Sequence, residues 1–155
     1  MFDRDVNASV VRVLVVDDFE LWRRHIVGEL QKCADLTVVG EASDGPEALQ
    51  KVEELAPALI LLDVGLPTMD GIAVASAMVR AAPEVKILML SAHNGVPIVQ
   101  AALRAGARGY LVKSDSRREL MPAIDAILRG QLFVSSRITS EGAHGMQVVQ
   151  AIPER

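Results

Sequence analysis

Five short apolar runs constrain this chain more than any other feature of it. They are Val11–Val16, Leu36–Val39, Ala58–Leu62, Val85–Leu90 and Gly109–Val112, each four to six residues long. Most do not alternate apolar with polar residues, as a half-solvated strand would. Near-continuous apolar runs of this length suit strands covered on both faces. Between the runs lie stripes at helical spacing. Trp22, Ile26, Leu30 and Cys33 form one; Leu49, Val52 and Leu55 form another, after Pro46. Ala75, Met78, Val79 and Ala82 make the third, and Val99, Ala102, Leu103 and Gly106 the fourth, after Pro97. Leu120, Ile124, Ile127 and Leu128 close the series. Strand and helix alternate five times. That order predicts an α/β fold, a parallel sheet with helices on both faces; in its doubly wound, flavodoxin-like (βα)5 form the strand order is 2-1-3-4-5.

Two details concern the last helix. Ser116 and Glu119 have the spacing of a capping box at its start. Pro122 sits past the first turn and is expected to kink the helix or delay its start.

A length of 155 residues suggests one domain,. We divide it into a lead at 1–10, a domain at 11–131 and a tail or linker at 132–155. The tail has one short helical run, Met146–Ile152. Half the chain is apolar and only 3% aromatic, so the core must be aliphatic. The formal charge of −4 gives no field for gripping DNA or an acidic membrane,. No direct DNA binding by this chain is expected. One cysteine, Cys33, rules out an intrachain disulfide and fits a cytoplasmic setting,. No apolar run approaches the ~20 residues of a membrane span, and the polar, acidic N-terminus is unlike a signal peptide.

In an open parallel sheet, ligands bind beyond the carboxyl ends of the strands. Asp17 and Asp18 follow the first run, Asp63 the third, Ser91 the fourth and Lys113 the fifth. In the predicted order the first and third strands are neighbours, about 4.8 Å apart. Three carboxylates then share one small space. They repel, and they lose hydration near a core. A hard divalent cation such as Mg²⁺ relieves both costs. A hydroxyl and an ammonium beside them suit a phosphoryl group, whose transfer needs chiefly positioning and charge neutralisation. Asp63 stands alone at its strand end and is the natural nucleophile; its attack on phosphorus would give an acyl phosphate.

These residues resemble the receiver domain of two-component response regulators over roughly residues 11–131. The matching motifs are DD at 17–18, D at 63, P-x-M-D-G at 67–71, S-A at 91–92 and G-Y-x-x-K at 109–113. The wording of GEASDGPEAL and AALRAGARGYLVKSDS is most similar to NarL/FixJ-type receivers. The resemblance implies a phosphoacceptor signalling domain rather than an enzyme with a diffusible substrate. Asp63 would take its phosphoryl group from a sensor histidine kinase or phosphotransfer protein. Asp18, Asp63 and the backbone carbonyl of Gly65 would ligate Mg²⁺ directly, with Asp17 in the same cluster. Lys113 would pair with the phosphoryl oxygens. Ser91 would swing to the phosphoryl group and Tyr110 would follow it inward. That motion would repack the fourth helix, fifth strand and fifth helix for output, by transcription regulation in most of the subfamily. The resemblance also admits a homodimer. Leu66 departs mildly from the family's Met, and the 24 residues after Gln131 are too few for a helix-turn-helix module. The chain then reads as part of a transcription regulator, or as a stand-alone phosphorelay or protein-binding switch.

Asp17 and Asp18 could merely end a strand and cap a helix. Asp70 and Gly71 are expected to shape a loop and cap the third helix. His93 is expected to be a solvated loop histidine; the sharper expectation is that His93 and Gly65 control the access of water to the acyl phosphate. An aspartyl phosphohydrolase would need a second acid where Gly65 stands. A dinucleotide fold would need glycines where DDFE stands. A pseudo-receiver, which keeps the fold but not the chemistry, is the structural alternative, and the presence of every site residue speaks against it.

Overall fold

The apolar runs fold as adjacent strands of one parallel sheet. In the computed structural model, which describes residues 10–139, the order begins β1 (Val11–Val16), α1 (Glu20–Gln31), β2 (Leu36–Ala42), α2 (Gly45–Leu55) and β3 (Leu59–Asp63). It continues α3 (Gly71–Ala81), β4 (Lys86–Ser91), α4 (Val96–Arg104), β5 (Gly109–Val112) and α5 (Ser116–Leu128). The sheet order is β2-β1-β3-β4-β5, the flavodoxin-like order, extended by a sixth short strand.

Strand alternation divides the core in two, because successive side chains leave opposite faces. Leu14, Ile60, Met89 and Tyr110 point to the face covered by α2, α3 and α4. Val13, Leu61, Leu90 and Leu111 point to the face covered by α1 and α5. Both faces are aliphatic, as the scarcity of aromatics requires. No helix among the described residues is long and apolar enough to cross a membrane.

Helix starts follow local chemistry. The Asp44 carboxylate accepts from the Glu47 amide at 2.9 Å to cap α2. Asp70 accepts from the amides of Ile72 and Ala73 at 2.8 and 3.1 Å to cap α3. Each satisfies donors that a helix start leaves orphaned.

The structure differs from expectation at the C-terminal side. The sequence suggests a tail or linker at 132–155, yet Phe133–Val134 forms β6, paired in parallel with β5. Ser136–Thr139 forms a further helical turn, α6, and Ile138 is buried. Two residues of strand were too short to stand out in the sequence. The Ser116–Glu119 capping box does not form: α5 has no side-chain cap at its start. Glu119 Oε2 instead accepts from the amide and hydroxyl of Ser136 at 3.2 and 2.6 Å. The helix also runs unbroken through Pro122, after a 3-10 turn at Lys113–Asp115. The helical run at 146–152 lies outside the described residues.

Candidate phosphoryl and cation site

The carboxyl ends of β1, β3, β4 and β5 converge on one depression. Asp63 and Ser91 are the last residues of their strands, and Asp17 and Lys113 follow theirs directly. Asp17 and Asp63 are buried, at 3% and 7% exposure, while Asp18 is open to solvent. Carboxylate oxygens of all three lie within 4.8 Å of one another. The Lys113 ammonium reaches in among them, 2.6 Å from Asp17 Oδ2 and 3.5 Å from Asp63 Oδ1.

Several contacts hold the acidic turn after β1. The Phe19 amide donates to Asp17 Oδ1 at 2.9 Å. Asp17 therefore turns the chain, as the simpler reading of that pair supposed, without capping α1. Arg23 donates to the Asp17 carbonyl at 2.8 Å and to Glu41 Oε1 at 2.9 Å, tying the turn to β2. Nothing in the sequence signalled this role, because Arg23 and Glu41 are far apart in the chain.

The electrostatics match the geometry. Burial pushes the Asp63 carboxyl above its ordinary range, and the charges of Asp17 and Asp18 push the same way. Lys113 and the Gly65 amide, 3.3 Å from Asp63 Oδ1, oppose the rise. A carboxylate buried beside two others is a site where positive charge is stabilising.

Gly71 explains the glycine of P-x-M-D-G. A Cβ there would overlap the Asp63 carbonyl oxygen and the Val64 Cα. Its amide donates to the Val64 carbonyl at 2.8 Å. The loop thus folds back tightly under the Asp63 backbone, and only glycine leaves room.

The remaining predicted residues gather nearby. Ser91 and Tyr110 are both buried. Ser91 Oγ accepts from the His93 amide at 3.0 Å, and the Tyr110 hydroxyl donates to the His93 carbonyl at 2.9 Å. The Tyr110 ring is thus buried beneath the loop that carries His93. Burial raises its phenol's pKa further from neutrality. His93 and Gly65 are both exposed, and a Cβ at Gly65 would meet open space.

A known family accounts for this arrangement. Residues 13–125 match the model of the response regulator receiver domain. The chain belongs to the response regulator receiver family. It is 36% identical over 132 residues to the response regulator GacA of Pseudomonas protegens, covering 85% of this chain and 62% of that one. It is 34% identical to UvrY of Escherichia coli over 146 residues, covering 94% of this chain and 65% of that protein. The chain therefore spans a little over three fifths of the length of these relatives. Among solved structures, it is similar to a LuxR-family two-component response regulator from Aurantimonas, with TM-score 0.84 and 32% identity over 89% of this chain and 99% of that one. It is also similar to the signal receiver domain of the putative response regulator NarL from Mycobacterium tuberculosis, with TM-score 0.74 and 40% identity over 79% and 99% of the two chains. These likenesses put the receiver in the NarL/FixJ-like subfamily.

Proposed function

We propose that this receiver is switched by phosphorylation of Asp63, with Mg²⁺, and that its output is transcription regulation. The observation that carries the reading is the Lys113 ammonium set between two buried carboxylates, Asp17 and Asp63, with Asp18 close by. The donor would be a phosphohistidine on a sensor histidine kinase or phosphotransfer protein. An Asp63 Oδ attacks phosphorus, an O–P bond forms and the P–N bond to the donor imidazole breaks. The electron pair returns to that imidazole nitrogen, which takes up a proton.

The donor set fits Mg²⁺: the oxygens are hard, anionic and clustered,. Asp17, Asp18, Asp63 and the Gly65 carbonyl would hold the ion, which supplies positive charge beside the phosphoryl oxygens. Lys113, already against Asp17 and Asp63, would neutralise further charge on the phosphoryl oxygens. Ser91 accepts from the His93 amide, so its own hydrogen can be donated to a phosphoryl oxygen,. His93 links Ser91 to Tyr110 through its own backbone, the amide bonded to Ser91 and the carbonyl to Tyr110, so a shift of Ser91 can be felt at the tyrosine hydroxyl. That coupling supports Tyr110 as the two-state element of the α4-β5-α5 face. The transcriptional regulatory protein DegU of Brevibacillus brevis, 28% identical over 88% of this chain and 58% of its own length, supports the output reading.

The test is intact mass after incubation with Mg²⁺ and a small phosphoryl donor, beside an Asp63→Asn control. A gain of one phosphoryl group that needs both Mg²⁺ and Asp63 is expected. No gain in a folded, Mg²⁺-binding chain would indicate a pseudo-receiver or strict dependence on a kinase.

A further inference from the structure

Trp22 stands beside the site without a role in the chemistry above. It is the one tryptophan of the chain. It lies on the first turn of α1 and is half-buried against the core under that helix. The Lys113 Nζ sits over its ring, 5.3 Å from the centroid. With Ile26, Leu61 and Leu90, the ring lines a small cavity shared with Asp17 and Asp63.

A lysine is a compact charge on four flexible carbons, and it has many rotamers to lose. Two carboxylates on one side do not by themselves prevent it from turning to water. An aromatic face within about 6 Å attracts the ammonium and occupies the side from which water would reach it. The Lys113 side chain is only 20% exposed. We propose that Trp22 is a positioning residue: its ring holds the Lys113 ammonium between Asp17 and Asp63. This inference rests on the reading of the acidic cluster as a cation and phosphoryl site.

Holding the lysine there has two opposite consequences. The ammonium competes with a divalent cation for the same carboxylates, so it weakens cation binding. It also keeps a positive charge where phosphoryl oxygens would arrive, so it speeds phosphoryl transfer. Loss of the ring should therefore tighten Mg²⁺ and slow phosphorylation. A merely damaged site would lose both.

The experiment is a double-mutant cycle read by calorimetric Mg²⁺ titration. Trp22→Leu should tighten Mg²⁺ about 3- to 10-fold, the range of a partly desolvated cation–aromatic contact. Trp22→Phe, which keeps a ring, should keep most of the wild-type value. In a Lys113→Met background, Trp22→Leu should change nothing, because the charge it holds is gone. A Trp22→Leu effect of equal size with and without Lys113, or weaker Mg²⁺ binding, overturns the proposal. Tryptophan emission of the wild type against Lys113→Met needs no metal. A changed emission supports the contact, and an unchanged one overturns it. If the wild type binds no Mg²⁺ at all, the cation reading of the cluster has failed, and the emission result alone decides for or against Trp22.

Discussion

At the scale of single residues, Asp63 is held in a place that costs the fold stability. Its carboxyl titrates above the ordinary range because it is buried and faces two other acids. A raised carboxyl pKa means that the folded state disfavours the charged form. The cost is fully present above the folded pKa and vanishes below the unfolded value near 3.9. Asp63→Asn should therefore raise stability at pH 7 in metal-free buffer, by about 1–2 kcal/mol. The gain should shrink as the pH falls towards 4. Denaturant midpoints at several pH values would show it; a gain independent of pH would contradict the electrostatic origin. Asp63 was legible in the sequence because a lone acid at the end of an apolar run is conspicuous. The contact of Trp22 with Lys113 was not legible, because the two are remote in the chain.

At the scale of elements, the segment after α5 is bound to β5. The Ser135 amide donates to the Tyr110 carbonyl at 3.0 Å, and the Val112 amide donates to Ser135 Oγ at 2.8 Å. Arg137 donates to both oxygens of Asp115, at 2.9 and 3.1 Å, and Asp115 lies in the turn that begins with Lys113. One short segment therefore touches both Tyr110 itself and the turn that begins with Lys113. The hydrogen bond from Arg137 holds the Asp115 carboxyl below its ordinary range, against the effect of burial. A lowered carboxyl pKa contributes stability above the unfolded value, and that stability is lost as the pH falls through the folded value. Asp115→Asn should cost about 1 kcal/mol at pH 7, modest because both its arginine partners are well exposed,. Melting curves should show the deficit fading under acid; a deficit that persists there would mean that packing, not charge, is responsible. The sequence suggested a capping box from Ser116 and Glu119. Tertiary contact won instead, because Ser136 offers Glu119 two donors at once.

For the whole molecule, the boundary of the folded unit matters most. Phe133 and Ile138 join opposite sides of the sheet, the first packed on the α1–α5 face and the second on the face of α2–α4. Ending the chain after Gln131 removes β6, takes the buried Ile138 out of the core and leaves the Val112 amide without Ser135. Compared with the same chain ended at Thr139, it should be less stable by about 3–5 kcal/mol. Chemical denaturation of the two forms checks this, and equal stabilities would make 132–139 a true linker.

Periodicity alone determined most of the architecture. Apolar runs too uniform for one-sided strands demanded cover on both faces, and five alternations of run and stripe demanded a parallel sheet. The strand ends then brought Asp17, Asp18, Asp63, Ser91 and Lys113 together, because a parallel sheet gathers all its carboxyl ends at one edge. Tertiary structure decided what periodicity does not encode. It set the pairing of a two-residue strand, the choice of Ser136 over a helix cap for Glu119, and the brace from Arg23 to Glu41. It also set the seat of Lys113 on Trp22. Each depends on which remote atoms come within about 3–5 Å, and such proximity is a property of the packed chain rather than of any local run of residues.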